Sequence, residues 1–213
     1  MKITRILIVL SLFGMALDSF GQAVADDTLS VATQALPTLR KLANEKSYKT
    51  MGFASLQEVE ATTLNEPIST SMVRLDDLRA YKHGDDSEKI VKPLEKVVYP
   101  VTANGEVRSS ITLAKVKNSW KATGFGGANF IRLITKARTN CSNADHLPLT
   151  SYFAVQVPAL NTWFIAHRSD NKLMLAPVLS DPALNLVEGQ TSPADEVFEK
   201  LAPKAKAYNG LPL

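Results

Sequence analysis

Few residues in this chain could do chemistry, and one trio stands close together. Cys141, Asp145 and His146 supply a thiol, a carboxylate and an imidazole, the parts of a nucleophile with its base and orienter. A catalytic cysteine and histidine ordinarily meet through the fold from distant segments, and no family signature surrounds Cys141. A thiol hydrolase using Cys141 and His146 is therefore the remotest reading. Asn140-Cys141-Ser142 also fits a glycosylation acceptor, which has meaning only in a eukaryotic secretory pathway.

Other constellations lack parts. Gly124, Gly126 and Gly127 precede an apolar helical pattern, where free backbone N–H groups could hold an anion. The lysine and serine of a phosphate-binding loop are missing, and Asn129 stands where a dinucleotide fingerprint needs its third glycine. These glycines read as a close strand-to-helix crossing. Asp85, Asp86 and Glu88 form an acidic loop without the alternating ligands and central glycine of a calcium site, so it reads as a solvated turn. His83, His146 and His167 are far apart, with no paired metal-ligand spacing and no second cysteine. We expect no catalytic residue, no cofactor and no metal.

Gln57-Glu58-Val59-Glu60-Ala61 resembles the cystatin inhibitory loop, glutamine-x-valine-x-glycine, with Ala61 in the glycine's place. The resemblance covers these five residues and implies a peptidase inhibitor. Ser55 to Glu58 is at the same time a capping box, which makes the stretch the start of a short helix running to about Thr63.

The first residues read as a targeting segment. Lys2 and Arg5 precede the apolar run Ile6 to Leu17, and Ala23-Val24-Ala25 fits a cleavage site, so residues 1–25 are expected to be a signal peptide. The run is shorter than the ~20 residues a spanning helix needs. Residues 26–213 are then one exported domain, secreted or periplasmic, with no membrane span after cleavage. The formal charge of +3 is small and evenly spread, which argues against nucleic acid as a partner. A single cysteine excludes an internal disulfide.

The elements follow from periodicity. Asp26 to Lys46 is helical, with Leu29, Ala32, Leu36, Leu39 and Leu42 on one side and Pro37 as its start or its kink. Ile68 to Leu75 is extended, Leu75 to Tyr81 and Ile90 to Leu94 are short turns, and a meander of three strands runs from Val97 to Phe125. A three-residue loop Ala103-Asn104-Gly105 would pair Val101 with Val107 and Tyr99 with Ser109, and a bulge is expected after Leu113. Ala128 to Arg138 forms a helix with Phe130, Leu133, Ile134 and Ala137 inward, followed by a polar connection to Thr150. Tyr152 to Val157 is a strand, and Thr162 to Arg168 pairs with Leu173 to Val178 about Asp170-Asn171. Ser192 and Pro193 open the last helix as cap and first residue.

That order implies an α+β fold of antiparallel meanders packed by helices. A helix followed by a meander occurs twice, which suggests two similarly built halves meeting near residues 126–128 and is similar to the element order of cystatin-like and propeptide-like modules. The later hairpin is apolar on both faces, one of them carrying Trp163, Ile165, His167 and Met174. Such surface must be covered by something. We therefore place a binding site at Trp163, His167 and Met174. The expected function is a non-enzymatic binding protein, carrier-like or chaperone-like, with a protein or an apolar small molecule as partner. A cystatin-like or propeptide-like inhibitor is the alternative.

Overall fold

Three two-residue turns with left-handed backbone fold the middle and later chain into antiparallel sheet: Asn104-Gly105, Lys117-Asn118 and Asp170-Asn171. The computed structural model of the chain describes residues 18–210. The charged start and apolar run of the expected leader lie outside the described residues, and Ala23-Val24-Ala25 falls within the first helix.

The elements run α1 (Asp18–Leu42), α2 (Leu56–Glu60), β1 (Thr63–Leu64), β2 (Ile68–Val73), α3 (Leu75–Ala80), β3 (Val91–Ala103), β4 (Glu106–Val116), β5 (Ser119–Phe125), α4 (Ala128–Asp145), β6 (Phe153–Val157), β7 (Thr162–Ser169), β8 (Lys172–Pro177), β9 (Ser192–Pro193) and α5 (Ala194–Ala207). The fold is α+β. Among the described residues all nine strands belong to one sheet, ordered β5-β4-β3-β2-β6-β7-β8-β9, with β1 paired to β3. Every pairing is antiparallel except β2 with β6, where Thr70 faces Ala154. That parallel pair joins the two meanders edge to edge.

Register puts alternate residues on two faces. One face carries Val97, Tyr99, Val101, Ile111 and Leu113 beneath α1, and further along the sheet Val155, Val157, Phe164, Ala166 and Leu175 beneath α3 and α5. The other carries Ile68, Val98, Ala154, Ile165 and Ala176 beneath α4. The later hairpin is thus sandwiched between α5 and α4, so its apolar faces are covered by the chain's own helices. Its expected register holds, with Ser169 opposite Lys172 and His167 opposite Met174.

The first hairpin differs from expectation. Its loop is the two-residue Asn104-Gly105, closed by Ala103 opposite Glu106. A bulge then inserts Arg108 into β4, so that Thr102 faces Val107 but Val101 faces Ser109, and Tyr99 faces Ile111. The extra residue restores the phase that a two-residue loop would otherwise break. Ala114 stays in register with Lys96, and the second irregularity lies in β5, where Thr112 faces Gly124 but Leu113 faces Ala122. The stretch Ile90 to Leu94 is not a turn beyond Ile90, because Val91 already begins β3.

Helix faces also depart from the simple template. In α1 the buried line passes through Thr28, Ala32, Ala35, Leu39 and then Ala43 beyond its end, while Leu29 and Leu42 are exposed. Small residues let the helix lie close over β4 and β5. Pro37 sits inside α1, and Ser192-Pro193 forms β9 opposite Leu175 and Met174, leaving α5 to begin at Ala194. The cystatin-like order is not confirmed, since the first meander is preceded by β1, β2 and α3 and shares its sheet with the second.

Candidate functional site

α4 is held at its start by two bonds across the strand crossing. The Gly126 N–H donates to Ser110 O at 3.0 Å, and Ser110 Oγ donates to Gly126 O at 2.7 Å. The helix continues to Asp145, through what the sequence suggests is a polar connection. Its buried stripe is Ile131, Ile134, Arg138 and Cys141, flanked by Ala128 and Ala137. Phe130 and Leu133, expected inward, are 39% and 38% exposed.

These two residues form one wall of a cleft of about 430 Å³. Trp163 at the start of β7 faces them, its ring 4.6 Å from that of Phe130 in an edge-to-face contact. The other wall is the segment after β8, with Val178, Leu179 and Ser180, and Leu179 is 57% exposed. Val178 N–H donates to Trp163 O at 2.9 Å, which ties this segment to β7. At the polar end Lys204 of α5 reaches Asp181 at 3.0 Å, and that lysine holds the Asp181 carboxyl below its usual range. Burial of Phe130, Leu133, Trp163 and Leu179 against a ligand would remove contiguous apolar surface from water.

Of the three residues expected to bind, the structure brings Trp163 to this cleft and not the other two. His167 is four positions along β7, about 13 Å away at ~3.3 Å per residue. It is 4% exposed, with Nε2 3.8 Å from Asp145 Oδ2 and its ring 5.0 Å from Tyr152. The Tyr152 hydroxyl donates to the same carboxylate oxygen at 2.9 Å, and burial followed by that bond pushes its pKa up. Met174 lies opposite His167 and is half-buried beside β9. Together these close the far end of the hairpin as a buried polar contact within the core.

The candidate thiol trio is also divided. Cys141 is on the core side of α4, 2% exposed, and burial pushes its thiol pKa up, with Asp145 adding to the shift. A thiol so placed disfavours the reactive thiolate. His146 is exposed at the left-handed C-cap of α4, and the histidine that approaches Asp145 is His167. In the acidic loop, Asp85 accepts from Lys82 N–H, Asp86 accepts from Glu88 N–H, and Glu88 pairs with Arg168. Among the described residues no group of three or more His, Cys, Asp or Glu could hold a metal ion. No helix among them is long and apolar enough to cross a membrane.

The glycine cluster does adjoin an open cleft, lined by Lys49, Gly127, Asn129 and Arg132 among others. Arg132 is already bonded to Ala128 O and Asn129 Oδ1, both at the helix's own first turn. Gln57 to Ala61 is helical or helix-capping, and Glu58 and Val59 are buried, so this stretch does not project as a loop. Ser55 Oγ accepts from Glu58 N–H as the capping box requires. The glutamate answers the Ala54 N–H, one residue earlier than the motif specifies.

A second, smaller void of about 30 Å³ lies between α4 and the sheet, lined by Ile68, Val98, Ile131, Ile134 and Ala154, with Thr70 and Lys96 as its polar members. Phe130 and Trp163 line both this void and the outer cleft. Lys96 and Leu179 carry no sequence motif, and only their place in the fold brings them to notice. No protein-family model, curated protein or solved structure matches the chain.

Proposed function

We propose that this protein is an exported, non-enzymatic binding protein that takes up an apolar group in the cleft between Phe130 and Leu133 of α4, Trp163 of β7 and Leu179. The observation that carries this reading is the grouping of Phe130, Leu133 and Leu179, three large exposed apolar side chains, around a half-buried tryptophan in one concavity. Scattered singly, such residues mean little; grouped in a cleft with a polar rim, they have the character of a ligand site. Export is supported by Lys2, Arg5, the run Ile6 to Leu17 and the Ala23-Val24-Ala25 pattern. The apolar faces of the later hairpin no longer support a large protein partner, because α4 and α5 already occupy them.

The test is a titration with Nile red, a neutral dye that brightens in apolar surroundings. Wild-type protein is expected to bind it saturably. Leu133→Ser with Leu179→Ser should weaken binding about tenfold or more, since each exchange removes roughly 1–2 kcal/mol of apolar contact. Both positions are partly exposed, so the melting temperature should stay within a few degrees of wild type. Undiminished dye binding in the double variant would place the apolar site elsewhere and refute the assignment.

A further inference from the structure

The small void under Phe130 and Trp163 has a direction. Its floor crosses four neighbouring strands, from Lys96 and Val98 of β3, through Ile68 and Thr70 of β2 and Ala154 of β6, to Trp163 of β7. Three strand spacings of ~4.8 Å give a floor about 14 Å across. Its roof is Phe130, Ile131 and Ile134 of α4. At the β7 end the Phe130–Trp163 contact separates the floor from the outer cleft, where Leu133, Leu160 and Leu179 continue the apolar lining. At the β3 end stands a half-buried lysine. The neighbouring Glu95 pairs with Lys115 at 3.1 Å, and among the described residues Lys96 has no ion-pair partner.

An apolar track with a cation at one end and an apolar outlet at the other fits one shape of ligand. We propose that the groove between α4 and the sheet holds a single aliphatic monocarboxylate, with its carboxylate on Lys96 Nζ and its chain lying over Ile68 and Ala154 toward Trp163. This rests on the binding function proposed above and names the class of ligand. The void is only large enough for about one water-sized group. The chain must therefore displace the Phe130 side chain, 39% exposed, outward from the sheet and take its place beside Trp163, and its far end emerges among Leu133 and Leu179. Charge complementarity selects the occupant: the unpaired ammonium favours an anionic head group over a neutral or cationic one.

Trp120 and Trp163 are the two tryptophans, so Trp120→Phe leaves Trp163 as the sole indole reporter. That protein is titrated with dodecanoate, dodecanol and dodecyltrimethylammonium, which share a chain and differ in head group. Dodecanoate is expected to shift the Trp163 emission saturably and to bind about tenfold more tightly than dodecanol, as a charge-assisted contact implies. Lys96→Gln should reduce dodecanoate to the dodecanol level, and Lys96→Arg should keep the preference. Ala154→Leu, which fills the floor, should weaken all three amphiphiles. Equal binding of dodecanoate and dodecanol, a preference for the ammonium, or a carboxylate preference that survives Lys96→Gln would overturn the Lys96 assignment while leaving the apolar cleft standing. Unchanged binding in Ala154→Leu would overturn the path of the chain. Absence of any Trp163 response to all three would refute both the ligand class and the cleft as a binding site. If Lys96→Gln fails to fold, the contrast of head groups on the parent protein decides.

Discussion

Gly52 and Gly105 both hold left-handed backbone, at φ +100° and +79°, but only Gly52 is also pressed against its neighbours. A Cβ on Gly52 would lie 2.0 Å from Arg108 O and 2.4 Å from the Ala128 Cβ, where the loop after α1 is wedged between β4 and the start of α4. A Cβ on Gly105 would meet nothing within 4 Å. Gly105→Ala should therefore cost about 1 kcal/mol for backbone conformation alone. Gly52→Ala should cost about 3 kcal/mol or more, because strain and overlap add. Urea unfolding of the two variants measures the contrast, and equal losses would contradict the packing described. Arg138 is a second residue whose setting the sequence conceals. It is wholly buried on α4 and donates to Pro67 O at 2.8 Å and Glu66 O at 2.9 Å. Burial pushes its pKa down to about 10, against an opposing pull from Glu66. A lone arginine amid helical spacing reads as a solvated position; here it ties α4 to the link between β1 and β2.

At the scale of elements, the bulge at Arg108 does two things. It keeps Tyr99 and Ile111 on one face, and it delivers a guanidinium to α2, where Glu58 Oε1 accepts from it at 2.7 Å. The other oxygen of Glu58 accepts from Ala54 N–H at 2.8 Å, so one buried residue joins the loop, α2 and β4. Glu58→Ala should cost about 2 kcal/mol, because it leaves the Ala54 N–H without its acceptor and Arg108 with Glu106, 2.9 Å away, as its remaining carboxylate. Thermal melting of that variant checks the estimate, and a loss below about 1 kcal/mol would mean the bridge is incidental. The capping box at Ser55 was legible, as were α3, the turn at Asp170-Asn171 and the existence of every long strand. Register in the first hairpin was not, because a two-residue loop with a bulge and a three-residue loop both bring the apolar sets to one face. The face of α4 was half legible, with Ile134 and Ala137 buried as expected and Phe130 and Leu133 exposed, for a related reason. Phe130 and Leu133 satisfy the helical template as well as Ile131 and Ile134 do, and only the neighbouring strands decide between them.

Across the whole molecule, the parallel pairing of β2 with β6 makes one wide sheet from the two meanders, and α4 crosses its centre. A helix packed over the middle of a wide sheet leaves room along its flank, and there Trp163 and Phe130 meet. Trp163 was legible as a candidate because its strand is apolar on both faces. His167 and Met174 share that face but lie at the hairpin's other end, where Asp145 and Tyr152 enclose the histidine. Lys96 comes to the site through sheet order and Leu179 through the bend after β8, which no local pattern reveals. Backbone amide NMR shifts of the nitrogen-labelled protein during dodecanoate titration decide whether an apolar ligand sits between α4 and the sheet. Saturable shifts are expected at Lys96, Phe130 to Ile134, Ala154, Trp163 and Leu179, with the α1 side around Tyr99 and Leu113 unmoved. Shifts centred on α1 and β5, or none at any position, would contradict that placement.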